Sequence, residues 1–102
     1  MSKFLLPGNQ PPVHPGEMLL EEFLKPANIS QRSFAAHIGW TTARLSELIN
    51  GKRGLSYEAA LDLADVFQME VQFWLNLQAA FELWHARRKH KTKKPLNISK
   101  VS

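Results

Sequence analysis

Two sets of residues in this sequence have types that could do chemistry. Four histidines, His14, His37, His85 and His90, could bind a metal; the acids Glu17, Glu21 and Glu22 could move protons. Neither set is completed. The histidines stand in four different contexts, and no pair has metal spacing with a third ligand. The glutamates have no nucleophile or partner histidine beside them. His14 therefore reads as a helix-entry residue, and the glutamates as a charged helix face. There is no glycine-rich phosphate loop and no GxSxG. Cysteine is absent, which excludes a disulfide scaffold, a thiolate zinc site, an iron–sulfur cluster and a cysteine nucleophile. The expectation is a chain that is not an enzyme and needs neither metal nor cofactor.

The chemistry that the spacing does favour is recognition of DNA. Between Gln31 and Lys52, two short apolar seams meet at one glycine: Phe34, Ala35 and Ile38, then Gly39, then Leu45 and Leu48. This is helix-turn-helix spacing. Ala35 is small where the second helix crosses over it, and Gly39 supplies the turn without Cβ strain. Thr42, Ala43, Ser46 and Glu47 remain on the outside of the second helix, with Arg44 at its edge. That small, polar face suits a major groove about 12 Å wide. Asn50, Gly51, Lys52 and Arg53 follow where phosphate contacts belong; taken alone, Lys52 and Arg53 read as two solvated loop charges. A helical hairpin inside any all-α domain is the bland alternative.

Five helices position this segment. Pro15 suits a first helical turn, and Met18, Leu19, Leu20, Phe23 and Leu24 include an amphipathic set. Pro26 is expected to close that helix and to bias Lys25 out of the α region. Ser30 caps a helix running from Gln31 to His37, which buries Phe34, Ala35 and Ile38. Thr41 caps a third, Thr42 to Ile49, and Ser56 a fourth, Tyr57 to Phe67. In the fourth, Ala60, Leu61, Ala64 and Phe67 are expected inward. A fifth begins near Val71 and carries Phe73, Leu77, Phe81 and Trp84. Glu70 is a poor cap for it. No strand alternation is visible, so the fold class is all-α.

The 102 residues suffice for one modest core. We expect a flexible arm over 1–12, a helical domain over 13–90 and a basic tail over 91–102. No apolar run approaches the ~18 residues of a membrane span, and Met1–Pro12 has no secretory pattern; a cytoplasmic protein is expected. Residues before Arg87 contain six bases and all nine acids, net −3, while residues 87–102 carry +7. That basic end fits a nucleic acid, an anionic surface or an acidic partner, and equally a solvated terminus.

The runs His14-Pro15-Gly16-Glu17, Leu48-Ile49-Asn50-Gly51-Lys52-Arg53-Gly54-Leu55-Ser56 and Phe73-Trp74-Leu75-Asn76-Leu77-Gln78 resemble HigA-type antitoxins. These are Xre-class helix-turn-helix proteins, similar to the lambda and 434 repressors, and the resemblance covers about residues 13–88. It implies a five-helix, lambda-repressor-like fold and a homodimer. It further implies binding to double-stranded operator DNA with repression of the chain's own operon, and neutralisation of a HigB-type mRNA-cleaving toxin. It implies that Gln31 contacts phosphate, that Thr41, Thr42, Ala43, Ser46 and Glu47 face bases, and that Arg44 and Lys52 flank them on the backbone. Two departures stand out: Trp40 replaces the usual small aliphatic, and Thr42 and Glu47 stand where many relatives have arginines.

The large side chains of the fifth helix, Phe73, Trp74, Leu77, Phe81 and Trp84, form a candidate dimer interface. Two rivals to an antitoxin are a repressor with no toxin partner and a protein-interaction module that has lost DNA binding.

Overall fold

The computed structural model describes residues 11–98, and among these the regular elements are all helical. The arm expected over 1–12 therefore lies outside the described residues except for 11 and 12, as do residues 99–102 of the tail. Helix α1 (Pro15–Met18) continues directly into a π-helical stretch (Leu19–Leu24). Then follow α2 (Gln31–Ile38), α3 (Thr42–Ile49), α4 (Tyr57–Phe67) and α5 (Val71–Lys89). No helix among the described residues is long and apolar enough to cross a membrane.

The helix starts are local chemistry. Ser30, Thr41 and Ser56 each accept the backbone N–H three residues on, at 3.0–3.1 Å, which satisfies a donor the helix itself leaves open. Glu70 caps nothing with its side chain. The exit of α1 departs from expectation. Lys25 keeps right-handed helical angles although Pro26 follows. The π-helical ladder accounts for this: the Lys25 N–H bonds Leu20 five residues back at 2.9 Å, so the carbonyl that a proline ring would strike in an α-helix is displaced. The regular helix still ends at Leu24, before Pro26, and the turn over residues 25–28 finishes at Asn28, whose φ is 57°.

The core joins Leu19 and Leu24 of the first helix to Phe34, Ala35, Leu45, Leu48, Leu55, Leu63 and Trp74. Two apolar expectations are corrected. Leu61 is 53% exposed, while Ala59, Ala60, Leu63 and Ala64 face inward; Leu61 falls one residue off that stripe. Trp74 is fully enclosed by its own chain, against Phe23, Phe67 and Phe73, so it has no surface to offer a second copy. Ile38, Phe67, Phe73, Leu77, Phe81 and Trp84 are half-buried.

Candidate nucleic-acid interface

Helices α2 and α3 are joined by a turn that Gly39 makes with φ 82°, and both Gly39 and Trp40 donate their N–H to the Ala35 carbonyl at 3.0 Å. A residue with a Cβ is strained at that angle. Thr41, Thr42, Ala43 and Glu47 project outward from α3 and are exposed; Ser46 is half-buried beside them. Asn50 closes the helix, its Nδ2 donating to the Ser46 carbonyl at 2.9 Å and to Ser46 Oγ at 3.2 Å. Gln31 is exposed at the first turn of α2, directly after its cap.

The charged residues are placed less simply. The Arg44 guanidinium lies 4.5 Å over the Trp40 ring, and the Trp40 indole N–H donates to Asp62 Oδ2 on α4 at 2.9 Å. The unusual Trp40 thus ties the turn to α4 and forms a platform for Arg44. Arg53 folds back onto α3: its Nε and Nη2 donate to Glu47 Oε1 at 3.0 and 2.8 Å. Lys52 donates its backbone N–H to the Glu47 carbonyl at 2.8 Å and leaves its side chain exposed.

The loop after α3 is braced from behind by residues that spacing alone does not single out. Gln78 of α5 accepts the Leu55 N–H at 2.7 Å. His14 caps α1 by accepting the Gly16 N–H on Nδ1 at 2.9 Å, and its ring lies beside the Arg53 backbone. Phe81 meets the imidazole edge-on at 4.8 Å. Burial pushes the His14 pKa below its ordinary 6.5, against the opposing pull of the Arg53 backbone and of Glu17. Gly16 is needed because α1 crosses the end of α3, where a Cβ would come within 1.8 Å of the Leu48 carbonyl oxygen. The only sequence signal for His14, Gly16 and Gln78 was their membership of the three quoted runs; their roles depend on backbone approaches across the fold.

The structure thus gathers Thr41, Thr42, Ala43, Ser46 and Glu47 on one outward face. Arg44, Lys52 and Arg53 lie at or beyond its edges. The dimer candidates Phe73, Leu77, Phe81 and Trp84 lie apart from that face, on α5.

The family described as Helix-turn-helix matches residues 20–74. An uncharacterised HTH-type transcriptional regulator of Escherichia coli, YbaQ, is 40% identical over 85 residues, which are 83% of this chain and 75% of that protein. Antitoxin HigA-1 of Vibrio cholerae is 38% identical over 92 residues, covering 86% of this chain and 87% of HigA-1. Among solved structures, PA4674 of Pseudomonas aeruginosa, in complex with its operator DNA, superposes with a TM-score of 0.78. It is 30% identical and covers 85% of this chain and 98% of that one.

Proposed function

The chain belongs to the HigA-type antitoxins of the Xre-like helix-turn-helix family, and on that premise we propose that it represses its own operon and neutralises a HigB-type mRNA-cleaving toxin. The family is one of DNA-binding regulators, not a class of enzymes. The observation that carries the DNA half is the small, polar outer face of α3 above a loop that Gln78 of α5 hydrogen-bonds from behind. A similar fold bound to operator DNA supports it.

In this reading α3 enters the major groove. Thr41, Thr42, Ala43, Ser46 and Glu47 face base edges, while Gln31, Arg44, Lys52 and Arg53 serve the phosphates. A cytoplasmic homodimer presents two such helices about one DNA turn apart, roughly 34 Å. The half-buried Phe73, Leu77, Phe81 and Trp84 are the candidate dimer face, without Trp74. Toxin neutralisation rests on the likeness to HigA-1.

Co-purification from an operon carrying this gene with its neighbour tests both halves. A complex of two chains that retards the operon's own promoter supports the proposal. The likeness to YbaQ, an HTH-type transcriptional regulator, supports the repressor-only reading as second choice. Promoter retardation by this chain, with no co-purifying small protein and no toxin-like reading frame upstream, would select it. Failure to retard any promoter duplex would leave a protein-interaction module.

A further inference from the structure

Glu47 sets a problem on the outer face of α3. A groove flanked by phosphates repels a carboxylate, yet this one is exposed on the face proposed to enter it. Arg53 resolves the problem locally. Both of its hydrogen bonds, 3.0 and 2.8 Å, go to one oxygen, Oε1. Among the described residues, Oε2 accepts no hydrogen bond, and Arg53 Nη1 donates none. The pair is 48% exposed on each side, so it contributes little to folding. The His14 ring lies beside the Arg53 backbone, and Gly51 turns the loop back toward α3 with φ 73°.

We propose that Glu47 is a specificity-determining residue that reads a cytosine in the operator, its Oε2 accepting from the base's N4 amino group while Arg53 cancels its charge and turns Nη1 toward a phosphate. This rests on the reading of α3 as the base-reading helix. A carboxylate only accepts hydrogen bonds. Guanine offers the major groove two acceptors, and thymine an acceptor and a methyl group, so neither suits it. Adenine offers N6, but the N7 lone pair beside it repels a carboxylate. Cytosine offers N4 with no acceptor of its own alongside.

The test is selection of duplexes from a pool randomised across the binding site, using the full-length protein. Wild type is expected to select a cytosine at one position of each half-site. Glu47→Gln is expected to move that position toward adenine, because a carboxamide pairs with N6 and N7. Glu47→Ala is expected to flatten it, losing roughly tenfold or more of the discrimination there. The other positions and the melting temperature stay as in wild type. Arg53→Ala is expected to weaken binding more when residue 47 is Glu than when it is Gln, since only the carboxylate needs neutralising.

A wild-type preference unchanged at every position by both Glu47 substitutions overturns the proposal. So does a Glu47-dependent position that prefers a base other than cytosine, or an Arg53→Ala loss that is the same in both backgrounds. In each of these cases the DNA-binding function stands. If wild type selects no sequence at all, the DNA-reading function itself falls, and this proposal with it.

Discussion

Gly54 leaves the space through which Gln78 reaches the loop: a Cβ at position 54 would lie 3.1 Å from Gln78 Nε2, while Gln78 Oε1 holds the Leu55 N–H at 2.7 Å. The backbone of the residue before Gly54, Arg53, lies beside the His14 ring, and His14 packs on Phe81 one turn beyond Gln78. Three segments far apart in the chain thus converge behind the loop that carries Lys52 and Arg53. Residues 51–54 of the loop are exposed, so this bracing adds to the bonds that Gly51, Lys52 and Arg53 make back to α3.

Gln78→Ala is expected to leave the Leu55 N–H without its partner, which costs about 1–3 kcal/mol for a buried donor and less for this part-buried one. Operator and random-duplex affinities should fall together except at the position that Glu47 reads beside Arg53, because the loop's own contacts are to phosphates. Titration of both duplexes against both proteins checks this. A change of sequence preference at any other position would show that the bracing also sets the pose of α3.

Gly16→Ala attacks the other side of the brace. Here the neighbour is backbone, the Leu48 carbonyl 1.8 Å from the new Cβ, so no side chain can swing away. A loss of about 3 kcal/mol, the upper range for overpacking, corresponds to a melting temperature lower by roughly 12–24 °C. By contrast, Gly54→Ala meets only the flexible end of Gln78, and its effect should shrink when Gln78 is also replaced by alanine. Thermal melts of the three variants check the order.

These approaches mark the limit of what could be read from the sequence. Caps and the turn glycine were legible because Ser30, Thr41, Ser56 and Gly39 act on backbone within a few residues. The choice between Leu61 and Leu63 was not, since both are leucines and only the packing of α4 decides the phase. Trp74 was misassigned because a count of aromatics on one helix does not show how many of them the core encloses. The Glu47–Arg53 pair was hidden by the turn between them: Gly51 must adopt positive φ before the two side chains meet.

His14 makes stability depend on pH. Burial lowers its pKa in the folded chain below the ordinary 6.5, so the unfolded chain binds more protons wherever the pH lies between the two values. The contribution is fully present above about pH 6.5 and is lost as pH falls toward the folded value. His14→Asn keeps a capping acceptor for the Gly16 N–H but does not titrate. Its stability should therefore be lower at neutral pH, for want of the Phe81 contact, and flatter with pH across that window. Denaturant melts of both proteins from pH 7.5 to 5 check this; equal slopes would rule His14 out as the source.

The basic end is where charge and fold point in different directions. Helix α5 ends at Lys89, and residues 90–97 are exposed and lie outside any helix. Arg88 stacks on Trp84 at 4.7 Å, while Lys91, Lys93 and Lys94 are exposed. A chain ending at His90 loses those three and Lys100. Each lysine that lies on a phosphate contributes about 0.9 to the slope of log affinity against log salt. A tail that is only solvated contributes nothing. The expected result lies between: a modest flattening of the slope for operator and random duplexes alike, with sequence preference and toxin binding intact. An exposed polycation attracts phosphates but lacks the groove-fitting geometry that base reading requires. Affinities at several salt concentrations, for both chains and both duplexes, check it. Loss of operator preference in the shortened chain would mean that the tail helps place α3 on its site, and that the residues from Thr41 to Glu47 do not carry specificity alone.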